Sequence, residues 1–261
     1  MFAVTNEQLQ MLIAKHMSKK MQVQVFDEVT STNAVLKKMA EKQAPDGMVI
    51  IARQQTAGRG TQGRKFYSPR NGLYLSLLVR AQLDVAKSSY LTVATAVAVV
   101  KTLKKVFGVK CGIKWVNDII YQGKKVGGIL TEGELENGSQ QLKYAVIGIG
   151  LNLVRPESGF HDEIAGLAGE LLSTVPTAEK YCKLVADLVN NAYRLYQKLG
   201  KASLIRLYRR YSVLKNKEIK FMKNGKAYVG QVQGIDQLAR LVVKVKGETV
   251  KLNAGEVLMV K

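Results

Sequence analysis

The spacing of apolar residues changes several times along the chain, and each change marks an element. From Asn6 to Lys20, Leu9, Leu12, Ile13 and Met17 recur every three or four residues, which predicts a short helix. Gln22 to Phe26 alternates as a strand, and Ala34 to Lys42 returns to helical spacing. Met48 to Arg53 is a continuous apolar run of strand length. Gly72 to Arg80 places Leu73, Leu75, Leu77 and Val79 on one face and Tyr74, Ser76 and Leu78 on the other, a strand with at least one buried face. Ser88 to Phe107 is a long Ala- and Val-rich helix stopped by Gly108. Short strands follow at Gly112 to Trp115 and Asp118 to Tyr121. Val126 to Glu132 and Leu142 to Leu151 pair as a hairpin around Glu136-Asn137-Gly138, a strong turn signal.

Beyond a loop bracketed by Pro156 and Pro176, with one weak helix, Thr177 to Leu199 reads as a helix with Thr177 as N-cap and Gly200 as stop. A further helix covers Ser203 to Arg210. From Glu218 the pattern becomes all strand: 218–223, 227–235, 239–246, 248–252 and 256–260, with turns at Lys223-Asn224-Gly225 and Lys246-Gly247. The fold class expected is α+β. A mixed sheet flanked by helices occupies 22–212, a small SH3-like β-barrel occupies 213–261, and a short helix lies within 1–21.

Composition narrows the partners. The 261 residues include 40 Lys and Arg against 20 Asp and Glu, a formal net charge of +20, which favours acidic partners. Cys111 and Cys182 lack a C-x-x-C pattern and read as reduced structural thiols of a cytoplasmic protein. His16 and His161 stand apart, so a zinc site has little support. The most apolar helical stretch, Leu91 to Val100, is too short to span a bilayer, and no signal-peptide pattern opens the chain, so no membrane association is expected. A single helix before the first strand falls short of a helix-turn-helix reader, so no specific DNA binding is expected.

The charge gathers around one loop. From Gly47 to Leu83 there is no Asp or Glu, while Arg53, Arg59, Arg64, Lys65, Arg70 and Arg80 all fall there. Gly58, Gly60 and Gly63 sit among them and suggest a flexible loop closing over phosphate or carboxylate. Gly58, Gly60 and Gly63 fit G-x-G-x-x-G, but Ser68-Pro69-Arg70-Asn71-Gly72 follows where a dinucleotide fold needs a helix. Arg64-Lys65-Phe66 replaces the Lys-Ser/Thr of a P-loop. A solvated basic surface loop is the plain alternative. Ser31, Thr32 and Asn33 precede a helix, and one of them suffices as N-cap. Lys125 is an ordinary hairpin lysine or an anion ligand. Trp115 is a core residue or a ligand platform, and Asn152 a strand terminator or a ligand.

Taken together, these segments resemble biotin protein ligases. Gln55-Thr56-Ala57-Gly58-Arg59-Gly60, Gly63-Arg64-Lys65, Ser68-Pro69 and Gly72-Leu73-Tyr74-Leu75-Ser76 look like the signature loop of that family. Ser31-Thr32-Asn33, Lys114-Trp115-x-Asn117-Asp118, Lys125-x-Gly127-Gly128-Ile129-Leu130 and Gly148-x-Gly150-x-Asn152 follow in the family's order. The resemblance implies a class II synthetase-like catalytic domain with a terminal SH3-like domain. It implies biotin and ATP as substrates, with Mg2+, a biotinyl-5′-adenylate intermediate, and transfer to a lysine of an acidic biotin carboxyl carrier protein, that of acetyl-CoA carboxylase or a related carboxylase.

By motif position, Ser31, Thr32, Asn33, Gln55, Arg59, Gly60, Thr61, Lys125, Gly127 and Gly128 would line the biotin site. Arg59, Arg64, Trp115, Asn117, Asp118, Lys125 and Asn152 would serve ATP. Arg59, Arg64, Lys125 and Asp118 would act in catalysis. Two positions depart from the pattern: Thr61 stands where the family commonly has Arg, and Val116 where it has Pro. The short segment before the first strand implies a monofunctional ligase without a repressor domain, and a homodimer is left open. Lipoate or octanoate attachment, on a related scaffold, is the alternative enzyme. A basic nucleic-acid-binding module is the alternative of another class, although the cations do not interleave with stacking aromatics.

Overall fold

The computed structural model describes residues 4–17, 21–80, 83–196, 198–253 and 257–259. Helix α1 spans Asn6–His16, strand β1 Val23–Val29, α2 Thr32–Glu41, β2 Val49–Gln55 and β3 Leu73–Val79. After the two-residue β4 (Leu83–Asp84) come α3 (Ser89–Phe107), β5 (Gly112–Lys114), β6 (Asp118–Tyr121), β7 (Lys124–Leu135) and β8 (Gln141–Leu151). Helices α4 (Asp162–Ala165), α5 (Ala178–Tyr196) and α6 (Ala202–Tyr211) lead to β9 (Glu218–Lys223), β10 (Lys226–Ile235), β11 (Leu241–Val245), β12 (Glu248–Leu252) and β13 (Val257–Met259).

The periodicity places nearly every element. The differences lie at ends: α2 starts two residues before the expected Ala34, and the β7–β8 hairpin is longer at its turn end than the apolar pattern alone indicates. α1 stops at His16, where Met17 turns extended, short of the expected Lys20, and α5 ends at Tyr196, short of the expected Leu199. The expected strand ends at Glu256 and Val260 lie outside the described residues. Thr177 caps α5 as its position predicts, its hydroxyl accepting from the Lys180 N–H at 3.3 Å.

The large sheet runs β1-β2-β3-β8-β7-β6-β5, with β4 paired to β8. Only β1 and β2 are parallel, joined through α2, and the other neighbours are antiparallel, so the sheet is mixed. One face carries Leu73, Leu75, Leu77, Ile147, Ile149 and Leu151, and buries them with α1, α3 and α5 in the main core. The other face is only partly covered. Leu36 and Ala40 of α2 pack there on Ile50, Leu78, Tyr144 and Val146. Beyond the reach of α2 that face continues as Ser76, Gly148, Gly150 and Gly128, which gives it depth instead of a second core.

The terminal strands form an antiparallel sheet in the order β12-β11-β10-β9-β13. Its pairings describe a five-stranded sheet, with no β12–β13 closure among the described residues. It shares a continuous core with the large sheet, because Leu214, Ile219, Phe221, Val232 and Leu241 belong to the same cluster as Trp115 and Leu204. The Trp115 indole N–H donates to the Ala239 carbonyl at 2.8 Å, and the Tyr208 hydroxyl donates to the Val116 carbonyl at 3.0 Å. The first bond ties the β5–β6 turn to the terminal sheet and the second ties it to α6.

The two thiols are buried, and burial raises their pKa, to about 12 for Cys111 and about 11 for Cys182. An acid held neutral by the fold adds stability that is complete below its ordinary pKa. That stability is lost as the unfolded thiol ionises above it, up to the folded value. The thermal midpoint is therefore expected to fall between pH 8 and pH 11. Native protein at pH 8 should resist thiol alkylation that proceeds after unfolding; rapid labelling of both cysteines in the folded state would contradict this burial.

Candidate active site

The uncovered face of the large sheet is closed over by the glycine loop. Gly60 N–H donates to the Arg64 carbonyl at 2.7 Å and Phe66 N–H to the Gly58 carbonyl at 2.9 Å, so the loop is a small hairpin. A single 3-10 turn, Thr61–Gly63, forms its tip. Of its three glycines only Gly63 requires a positive φ, 72°. Gly58 is needed for close approach, since a Cβ there would lie 2.3 Å from the Phe66 carbonyl oxygen. Gly60 is extended at φ −113° and could carry a side chain.

The six cations counted with this loop divide by partner. The Arg53 guanidinium is buried and donates to Asn6 Oδ1 and the Val4 carbonyl, fastening β2 to the chain start. Arg70 forms a two-pronged pair with Asp27, and that guanidinium's hydrogen bond lowers the Asp27 pKa. Arg80 caps the end of α2 by donating to the Ala44 and Ala40 carbonyls. These three arginines hold structure. Arg59, Arg64 and Lys65 remain at the cavity.

Beneath the hairpin lies a cavity of about 670 Å3, counting its open mouth. Ser31, Thr32, Asn33, Gln55, Arg59, Gly60, Thr61, Arg64, Asn117, Lys125 and Gly128 all line it, drawn together from β2, α2, the hairpin, β7 and the β5–β6 turn. Lys65, Phe66, Ile129, Leu130, Gly148, Ile149 and Gly150 complete the wall. Four cations and no carboxylate are among these lining residues. The Phe66 ring lies on the floor: a Cβ at Gly150 would come within 2.6 Å of it, and one at Gly128 within 3.8 Å.

One end of the cavity is uncharged. Ser31, Thr32 and Asn33 are only 3–4% exposed. None of them acts as a side-chain cap: Ser31 occupies the N-cap position of α2 without a capping bond, while Thr32 and Asn33 bond elsewhere. Gln55 Oε1 accepts from the Thr32 N–H at 2.8 Å and lies 3.1 Å from Thr32 Oγ1. Gln55 Nε2 donates to Ser68 Oγ at 2.9 Å, and the Ser68 hydroxyl donates to the Phe66 carbonyl at 2.8 Å. On the other side Ser76 Oγ lies 2.8 Å from Thr32 Oγ1 and 2.6 Å from Asn33 Oδ1. Asn33 Nδ2 in turn donates to Glu132 Oε2 at 2.7 Å. Gly148 makes room for this, since a Cβ there would stand 2.4 Å from Asn33 Oδ1.

The other end is cationic. Lys125 Nζ is 2.6 Å from Asp118 Oδ1, and Lys114 Nζ is 4.0 Å from Asp118 Oδ2. A register shift in the β6–β7 pairing falls between Ile119–Gly127 and Ile120–Lys125. The Lys125 side chain lies beside Gly128, whose Cβ would be 3.7 Å from Nζ. Asn117 Nδ2 donates to the Ile129 carbonyl at 3.0 Å and holds the β5–β6 turn against β7.

The remaining candidates lie outside the cavity lining. Trp115 is 3% exposed and belongs to the core. Gly127 faces away, its Cβ position 2.5 Å from Leu151, because successive strand residues point to opposite faces. Asn152 Nδ2 donates to the Gly169 carbonyl at 3.0 Å and fixes the following loop. Asp118 reaches the site through Lys125. Ser68, Ser76, Glu132 and Phe66, which residue-by-residue reading passed over, line the cavity or bond to residues that line it. Ser76 had a signal, as the one hydroxyl in an apolar strand. Glu132 had none, because a carboxylate near the end of a hairpin strand usually faces solvent. Among the described residues no group of three or more His, Cys, Asp or Glu can hold a metal ion, and no helix is long and apolar enough to cross a membrane.

Residues 25–152 match the family described as biotin/lipoate A/B protein ligases. A biotin–[acetyl-CoA-carboxylase] ligase of Mycobacterium tuberculosis is 30% identical over 245 residues, covering 90% of this chain and 88% of that protein. The bifunctional ligase/repressor BirA of Bacillus subtilis is 28% identical over 235 residues, 88% of this chain and 72% of that protein. Among solved structures, a biotin protein ligase from Aquifex aeolicus in complex with biotin and ATP shares the fold, with a TM-score of 0.74 at 23% identity over 92% of this chain and 99% of that one.

Proposed function

The chain belongs to the biotin/lipoate A/B protein ligase family, and on that premise we propose that it activates biotin with ATP and transfers it to a carrier lysine. The acceptor is a biotin carboxyl carrier protein, that of acetyl-CoA carboxylase or a related enzyme. The observation that carries this reading is the mixed lining of one cavity: Ser31, Thr32, Asn33 and Gln55 supply uncharged hydrogen-bonding groups, and Arg59 and Lys125 supply positive charge. Biotin has matching ends, a cyclic urea and a carboxylate. Lipoate offers a dithiolane ring, which would leave the polar end without partners. Biotin-dependent exchange of pyrophosphate into ATP tests the assignment; exchange with lipoate and none with biotin would replace it.

In the first step a carboxylate oxygen of biotin attacks the α-phosphorus of ATP. The bond to the bridging oxygen breaks and pyrophosphate leaves. Two anions must meet, so Arg59, Arg64, Lys65 and Lys125 offset their repulsion and stabilise the charge that builds on the phosphoryl oxygens. Asp118 holds the Lys125 ammonium beside Gly128. Magnesium would arrive on the nucleotide, whose phosphates and waters supply its ligands, because the lining residues include no carboxylate. In the second step the carrier lysine attacks the acyl carbon of the adenylate and AMP leaves. The amine loses a proton as the amide forms, and Asp118, which is tied directly to a lining cation, is the candidate for orienting that amine or taking its proton. Residues 22–212 are assigned to this chemistry and 213–261 to the terminal sheet domain. The +20 charge suits a steered encounter with an acidic carrier, slowed by added salt.

Thr61 at the hairpin tip has no charge to place on the adenylate. The intermediate is therefore expected to escape faster than from a Thr61→Arg variant. Release of labelled adenylate from the two proteins measures this, and equal rates would refute it.

A further inference from the structure

We infer that Glu132 is a positioning residue for biotin: through Asn33 and Ser76 it fixes Thr32 as a hydrogen-bond acceptor facing the cavity. This rests on the function proposed above. A carboxylate and a carbonyl only accept. With Glu132 Oε2 at 2.7 Å and the Leu130 carbonyl at 3.4 Å, the amide of Asn33 must turn its NH2 toward them. Lys37 Nζ, 3.7 Å from Glu132 Oε1, supplies the countercharge.

That orientation leaves Asn33 Oδ1 facing Ser76, 2.6 Å away, so the single Ser76 proton goes to Asn33. The Ser76 hydroxyl then has no proton for Thr32. The Thr32 proton has two internal acceptors, Gln55 Oε1 and Ser76 Oγ, at 3.1 and 2.8 Å. Gln55 cannot turn to compete, because its Nε2 is held by Ser68. Thr32 therefore shows the cavity lone pairs, the partner that a ureido N–H requires. Were Asn33 to flip, its NH2 would meet Ser76, the Ser76 proton would turn to Thr32, and the acceptor facing the ligand would be taken up internally.

The residue touches no lining atom of the cationic end, so its loss should fall on biotin and not on ATP. In Glu132→Leu the dissociation constant and KM for biotin are expected to rise at least about tenfold, the worth of one reversed hydrogen bond. KM for ATP and kcat at saturating biotin should stay within about twofold, an indifference expected of a group acting only through the ureido end. Glu132→Gln keeps an acceptor for Asn33 and should restore biotin affinity to near wild type. In the Glu132→Leu background, Ser76→Ala removes the proton that would turn to Thr32, leaves Gln55 to accept the Thr32 proton, and should recover most of the lost biotin affinity. Glu132→Met, closer to the native side-chain length, reads the same biotin-specific loss if Glu132→Leu does not fold. Calorimetry with biotin and steady-state kinetics read all five proteins. Unchanged biotin affinity in a folded Glu132→Leu or Glu132→Met would overturn the inference alone, as would no recovery in the double variant or equal falls in every kinetic constant. No biotin binding by the wild-type protein would overturn the proposed function, and the inference with it.

Discussion

Replacing Arg59 with alanine is expected to lower biotin-dependent pyrophosphate exchange about 100- to 1000-fold, the usual cost of removing one preorganised donor from a developing oxyanion. Arg59 lies on the hairpin that follows β2, just where that hairpin pairs, since Arg59 and Lys65 face each other in an isolated bridge. Its position is therefore set by backbone hydrogen bonds, not by a carboxylate partner. In the same cavity lining, Lys125 is held by Asp118 at 2.6 Å. The two cations together offer positive charge where two anions must meet. The fold should be indifferent: the side chain is exposed and anchors nothing in the core, so thermal stability should change little. Exchange in Arg59→Ala within about threefold of wild type would place the chemistry elsewhere, since that is far below the loss expected for a transition-state contact.

The second large effect comes from a single methyl group. Gly150→Ala puts a Cβ 2.6, 2.8 and 3.1 Å from three carbons of the Phe66 ring. Gly150 cannot retreat, because β8 is paired on both sides, to Tyr74 of β3 and Gly128 of β7. The ring must lift. Phe66 follows Lys65 directly, and its N–H closes the hairpin on the Gly58 carbonyl. Lifting it carries Arg59, Arg64 and Lys65 away from Lys125. A displacement of about 1 Å at such a distance from the reaction can cost about 100-fold in rate. Overpacking of this kind should also destabilise the protein by about 1–3 kcal/mol. Exchange kinetics and thermal melting of Gly150→Ala check both; wild-type activity with an unchanged midpoint would mean that Phe66 does not set the hairpin.

Much of this was legible from residue order. Alternation in Leu73 to Val79 and three- to four-residue spacing in Leu9 to Met17 identify strand and helix, because side-chain direction follows backbone period locally. Arg59, Arg64, Lys125, Gln55 and the Ser31-Thr32-Asn33 run could be named because their types announce donors and charges, and all of them do line one cavity. Trp115 and Asn152 were less transparent, since an indole or a carboxamide suits a ligand or a carbonyl equally well. Their partners, Ala239 and Gly169, lie 124 and 17 residues away.

The sequence by itself determined the elements, the excess of positive charge, and the kinds of group available to a urea, a carboxylate and a phosphate. Those follow from local stereochemistry and from side-chain identity. Only the tertiary structure decided which arginines are structural and which face the cavity, that Gly127 and Gly128 point to opposite sides, and that Glu132 stands 2.7 Å behind Asn33. Such outcomes depend on register between strands distant in the chain, where a shift of one residue exchanges the two faces of the sheet.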